Sequence, residues 1–195
     1  MVKTLYLMRH GETLFNQQGR IQGFSDSPLT DKGIEQARQC ARYFKEQGLA
    51  FERLYCSTLE RASDTLELVT GRTDYCRLKG LKEWNFGSFE GMPHFLNPRP
   101  NEKTSHGDFF VSYGGESYEE VRQRLLETLT KIMEESNEGE RVLAVSHGSA
   151  IVQFIMAVTM EEQTIAAYSM NYCQVVEFQY ENGIFHMKGT FKPSE

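Results

Sequence analysis

The stretch "LYLMRHGETLFN", Leu5 to Asn16, begins as an apolar run of strand character and breaks off in Arg9-His10-Gly11-Glu12. Such an ending marks either the limit of a core or a strand that carries a reactive imidazole to the rim of a sheet. The pattern returns in "RVLAVSHGSAIV", Arg141 to Val152, where a second apolar strand gives way to His147 and Gly148 and then to a helical run. In an open α/β sheet, side chains at the carboxyl ends of parallel strands border the ligand crevice, so His10 and His147 are expected to face each other there. Taken singly, a histidine in such a place is more often a packed or capping residue, and it is the repetition that points to a site.

Between these two landmarks the pattern alternates strand and helix. Strand signals fall at Lys3 to Met8, Arg53 to Cys56, Tyr75 to Leu81 and Val142 to Ser146, which predicts an α/β fold with a mostly parallel sheet. One helix is expected from Thr30, with Ile34, Ala37, Ala41 and Phe44 on its inner face, and another after Thr58. A third opens at the Ser117/Glu120 capping box, and a fourth, apolar nearly all round, follows Gly148. At the end of the chain, "CQVVEFQY" and "IFHMKGTF" flank Asn182-Gly183, the pair that favours a tight hairpin, so the sheet should close on an antiparallel edge. From Glu90 to Gly115, with Pro93, Pro98 and Pro100, no period is visible. That segment reads as an irregular, lid-like excursion of one domain spanning 1–195, its outer limits at about 84–115.

Bulk properties exclude several classes. The 195 residues have room for one sizeable core, and 39% hydrophobic with 25% charged residues is an ordinary soluble composition. No apolar run approaches the ~18 residues of a membrane span, and the short apolar N-terminal run, which meets Arg9 at once, is not a secretory signal. Cys40, Cys56, Cys76 and Cys173 are scattered without metal-ligand spacing, so free thiols in a cytoplasmic protein are expected, with no metal and no cofactor. A net charge of −6 argues against a nucleic-acid partner, and any anion site must be built locally.

Local anion chemistry is available. Arg9 directly follows a buried run, where an unpaired guanidinium is costly and calls for an anion. "LYCSTLERASDTLEL" places Arg61 in the first turn of a helix, where free N–H groups and the helix dipole already attract anions, although a solvated surface arginine is the plainer reading of Arg61 alone. In "GLKEWNFGSFEGMP", Glu83 follows a strand and precedes an aromatic loop. Apolar neighbours such as Trp84 and Phe86 would help it hold a proton as a general acid, with Glu90 and Asp108 as competing carboxylates. In "RIQGFSDSPLT", Gln22 and Gly23 offer polar groups to a ligand or simply form a turn, and Asp26, Ser27 and Pro28 are turn residues.

Together, "RHGET" with Asn16, "RIQGFSDSPLTDKGIEQA", "CSTLERASDT", "LKEWNFGSFEG", "GGES" and "VLAVSHG" resemble the histidine phosphatase superfamily, the phosphoglycerate mutase-like group. The matches keep the family's order over nearly the whole chain, apart from about 92–112 and the C-terminal hairpin. This resemblance implies a three-layer sandwich and a phosphoenzyme mechanism. In it His10 is the nucleophile, Arg9, Arg61 and His147 hold the phosphoryl oxygens, Glu83 is the proton donor, and Asn16, Gln22, Gly23 and Gly148 lie where relatives contact ligand. Phosphoryl transfer needs positioning and charge stabilisation, which a fixed cluster of cations supplies.

Phosphoglycerate mutases of this group are longer and carry a paired-arginine motif after the acid, whereas here the equivalent region offers only Arg99 and Lys103. The expected activity is therefore hydrolysis of small phosphomonoesters. A mutase is the nearest alternative, a non-catalytic phosphate-ligand sensor comes from another class, and a metal-dependent hydrolase lacks ligand spacing. Oligomeric state is left open.

Overall fold

The structure, a computed structural model, describes residues 2–98, 105–159 and 170–193. Its strands are β1 (Lys3–Arg9), β2 (Arg53–Ser57), β3 (Cys76–Leu78), β4 (Arg141–Ser146), β5 (Val175–Glu181) and β6 (Ile184–Phe191). Its helices are α1 (Leu14–Gln17), α2 (Asp31–Glu46), α3 (Glu60–Thr70), α4 (Tyr118–Glu135) and α5 (Gly148–Val158). The strands form one sheet in the order β3-β2-β4-β1-β5-β6. β1, β2, β3 and β4 run parallel, and the hairpin β5–β6 adds the antiparallel edge through Asn182 and Gly183, both at positive φ as a tight turn of this kind demands.

Alternation along the strands sorts the side chains into two apolar layers. Leu5 and Leu7 of β1, with Val142 and Ala144 of β4, pack under Val121, Leu125 and Leu129 of α4 and Ile151 and Phe154 of α5. Tyr6, Met8, Leu143 and Val145 point the other way, onto Ala37, Cys40 and Phe44 of α2 and Ala62, Leu66 and Val69 of α3. Helices on both faces of the sheet make the three-layer α/β sandwich that the family resemblance implies.

Two elements differ from the sequence reading. β1 reaches Arg9, so the strand itself delivers the arginine, while β3 is three residues long and yields to a 3₁₀ turn at Lys79–Leu81. Beyond Leu78 the carbonyls find side chains in place of a strand partner. Ser146 donates to Leu81 O, and the Arg124 guanidinium donates to Gly80 O, Lys82 O and Glu83 O. The excursion is also better anchored than its lack of period suggests. Phe110 is fully buried and meets Phe86 edge-on with ring centroids 4.9 Å apart, and Trp84, Phe89 and His106 complete an aromatic cluster. Arg99 and Lys103 lie outside the described residues.

Candidate active site

Parallel register explains why two distant histidines meet. Arg9 of β1 is paired with Ser146 of β4, so His10 and His147 leave adjacent strands at the same level, and their ring centroids stand 5.1 Å apart. His10 Nδ1 lies 2.7 Å from Gly11 O. A carbonyl only accepts, so Nδ1 carries the proton and Nε2 keeps its lone pair. His147 caps α5, and its Nε2 is 2.7 Å from Ser57 Oγ at the end of β2. That hydroxyl also accepts from Leu59 N (3.2 Å), while His147 Nδ1 has no partner among the described residues.

Two guanidinium groups flank the imidazoles. Arg61 is completely buried, and its Nε donates to His10 Nε2 across 3.3 Å. Its remaining nitrogens donate to Asp26 Oδ1 (2.9 Å), Ser25 O (2.9 Å) and Gly23 O (2.8 Å), which fix the side chain from three directions. Arg9 donates to Met170 O and lies 4.2 Å above the Tyr172 ring, its Nε unpartnered among the described residues. A Cβ on Gly148 would press on this guanidinium at 3.3 Å, so glycine lets the N-terminus of α5 approach Arg9 closely.

Glu83 is buried, and its carboxylate sits against the start of α5. Ala150 N (2.8 Å) and Trp84 N (2.9 Å) donate to Oε1, and Ser149 N (3.1 Å) donates to Oε2. The backbone behind it is held by Arg124, which is pinned in turn by Glu116, and Glu116 also accepts from Asn85 N. Glu83 is therefore placed by α4 and α5 together with the first residue of the aromatic loop that follows it.

The electrostatics separate these groups. Burial, then the charges of Arg61 and Arg9, hold His10 well below the usual imidazole pKa, and burial with Arg61 does the same to His147. Burial moves Glu83 the other way, upward, against the opposing pull of Trp84 N–H and Arg61. The site thus combines neutral imidazoles, two cations and a carboxyl group inclined to keep its proton. Among the described residues no three His, Cys, Asp or Glu side chains converge so as to hold a metal ion.

A model of the histidine phosphatase superfamily, branch 1, matches residues 5–191. The chain belongs to that superfamily, and it is an enzyme by descent. It is 34% identical over 170 residues to a protein of Arabidopsis thaliana named metal-independent phosphoserine phosphatase, covering 81% of this chain and 69% of the relative. It is 30% identical over 184 residues to a 2,3-bisphosphoglycerate-dependent phosphoglycerate mutase of Methylorubrum extorquens, covering 86% of this chain and 84% of the relative. Among solved structures it resembles a mutant phosphoserine phosphatase of Entamoeba histolytica in complex with phosphoserine, with TM-score 0.81, 28% identity and 98% of each chain covered.

Against that superfamily background the candidates fall into two groups. His10, His147, Arg9, Arg61 and Glu83 are brought together, whereas Gly23 meets them only through Arg61, and Gln22 and Asn16 are tied to Thr13. Thr13 N donates to Asn16 Oδ1 (3.2 Å) and the Thr13 hydroxyl to Gln22 Oε1 (2.6 Å), while Gln22 Nε2 is buried without a partner among the described residues. Gly23 has both polar groups engaged: its N–H donates to Glu90 Oε2 (3.0 Å) and its carbonyl accepts from Arg61. Its lack of a side chain is steric, because a Cβ would lie 2.1 Å from Trp84 O.

Glu90 accepts from Gly23 N, Phe24 N, Ser25 N, Ser25 Oγ and Phe86 N, which makes it a tie between loops with no capacity left for proton transfer. Sequence reasoning missed Asp26, Ser57 and Arg124. Nothing local to Arg61 points to Asp26, which pairs with it from a loop 35 residues earlier.

Proposed function

We propose that this enzyme is a metal-independent phosphatase that hydrolyses small phosphomonoesters through a phosphohistidine on His10. The observation that carries this reading is the His10 tautomer: Nδ1–H is tied to Gly11 O, and the unprotonated Nε2 accepts from the guanidinium of Arg61. His10 Nε2 attacks phosphorus, the bond from phosphorus to the ester oxygen breaks, and Glu83 gives its proton to that oxygen. Water then attacks the phosphohistidine, Glu83 takes a proton from it, and cleavage of the N–P bond frees phosphate and restores Nε2. Arg9 and Arg61 match the two negative charges of the phosphoryl group, and His147 donates from Nδ1 while Ser57 holds Nε2.

Hydrolysis is favoured over mutase action because a mutase must grip a second phosphate while its intermediate reorients. In the roof, 84–116, the sequence offers only Arg99 and Lys103 as cations, without a paired-arginine motif. Arg20, close by, is directed at Gly91 O and Gln18 Oε1. Phosphoserine is the first substrate to try, given the relative named for that activity.

The test is a panel of phosphomonoesters in the presence of a chelator, run beside an assay of 3- and 2-phosphoglycerate interconversion supplied with bisphosphoglycerate. The reading expects release of inorganic phosphate to exceed interconversion. Faster interconversion, which the Methylorubrum relative keeps in view, would replace it with the mutase.

A further inference from the structure

A pocket of about 220 Å³ opens beside the phosphoryl site, with Arg9, Glu83, Gly148 and Gln153 in its lining. Gln153 is unusual there: it is polar, completely buried, and set in a helix otherwise apolar on its inner face. Its amide orientation is decided by its neighbour. Arg122 Nε, which can only donate, approaches Gln153 Oε1 at 2.8 Å, so the oxygen faces α4 and the NH2 group faces the other way. That Nε2 is buried and has no partner among the described residues. Two buried N–H donors without an acceptor cost stability, and they persist where function uses them.

We infer that Gln153 determines leaving-group specificity: its Nε2 donates to an acceptor oxygen on the alcohol part of the substrate, a carboxylate or a hydroxyl, once the phosphoryl group lies on Arg9 and Arg61. The inference rests on the phosphatase reading and adds the substrate class to it. Gln153 acts directly on the leaving group, and Arg122 is the positioning residue that keeps the amide from flipping. A site built to satisfy such donors discriminates strongly against a substrate that lacks the acceptor, because binding then leaves the N–H groups unpaired.

The experiment compares kcat/KM for phosphoserine, glycerol phosphate and propyl phosphate in the wild type, Gln153→Met and Gln153→Glu. Gln153→Met keeps the length and removes the donors, and Gln153→Glu keeps an acceptor for Arg122, so at least one should fold. The inhibition constant of inorganic phosphate checks that the phosphoryl site is intact. The preference for an acceptor-bearing substrate over propyl phosphate should fall about tenfold in Gln153→Met and further in Gln153→Glu, mainly through KM. A loss confined to phosphoserine identifies a carboxylate, and one confined to glycerol phosphate a hydroxyl. An unchanged ratio, or an equal loss on all three substrates, overturns the inference while leaving the phosphatase reading standing. Failure of the wild type to hydrolyse any of them would defeat the phosphatase reading itself.

Discussion

Arg61 Nε and His10 Nε2 stand 3.3 Å apart inside the protein, a cation directed at the lone pair of an imidazole. The pair only makes sense with the imidazole neutral, and a phosphoryl group drawn in by the same cation would come to rest against the nucleophile. Arg61 owes that aim to Asp26, Ser25 O and Gly23 O.

Removing the Asp26 carboxylate should therefore harm both stability and rate. Asp26→Ala leaves the buried Arg61 charge with only two carbonyls and the neutral His10 imidazole as hydrogen-bond partners, for an expected loss of about 1–3 kcal/mol, moderated because Asp26 is itself partly exposed. Denaturant midpoints check the first effect, and a fall in kcat larger than the rise in KM checks the second. A variant of wild-type stability would show that Arg61 needs no counter-charge.

The depressed pKa values of His10 and His147 make stability acid-sensitive from an unusually high pH. Unfolded imidazoles bind a proton below about pH 6.5, whereas the folded ones remain neutral to well below it. Through that window the unfolded state holds more protons, so stability falls as pH falls, by up to about 1.4 kcal/mol per pH unit for each imidazole. Glu83, shifted upward, opposes part of this slope near its own titration. Urea unfolding between pH 7.5 and 5 should show the slope, and His147→Phe should reduce it. A flat profile in the wild type would mean that the histidines are hydrated.

If Glu83 protonates the leaving oxygen, Glu83→Gln should cost about 10²–10⁴-fold on alkyl phosphates and far less on aryl phosphates, which leave unaided. The amide would also set a donor against Ser149 N–H or Ala150 N–H, so a stability loss of about 1–3 kcal/mol should accompany it. Equal kinetic losses on both substrate types would make Glu83 only a cap for α5.

Much of the site was legible because strand ends are marked in the chain itself: His10 and His147 each close an apolar run, and parallel pairing brings such ends together. Arg61 illustrates the limit. Its first-turn position could be read, but its burial depends on Gly23, Ser25 and Asp26, contributed by a loop more than thirty residues earlier. Glu83 was read from its buried aromatic neighbour Trp84, but only part of its setting is local. Two of the three groups that hold its carboxylate come from α5, at a sequence separation of 66 and 67 residues, and no local pattern reports them. The excursion failed as a pattern for a different reason: its order comes from aromatic side chains meeting Trp84 and Phe86, which requires no periodicity.

Passage of phosphate through His10 Nε2 is tested by rapid acid-free quenching after mixing with a labelled phosphomonoester, followed by peptide mapping. The account predicts a transient, acid-labile and base-stable phosphate on the peptide containing His10, absent in His10→Ala together with turnover. Label on His147, or turnover that survives in His10→Ala, would contradict it.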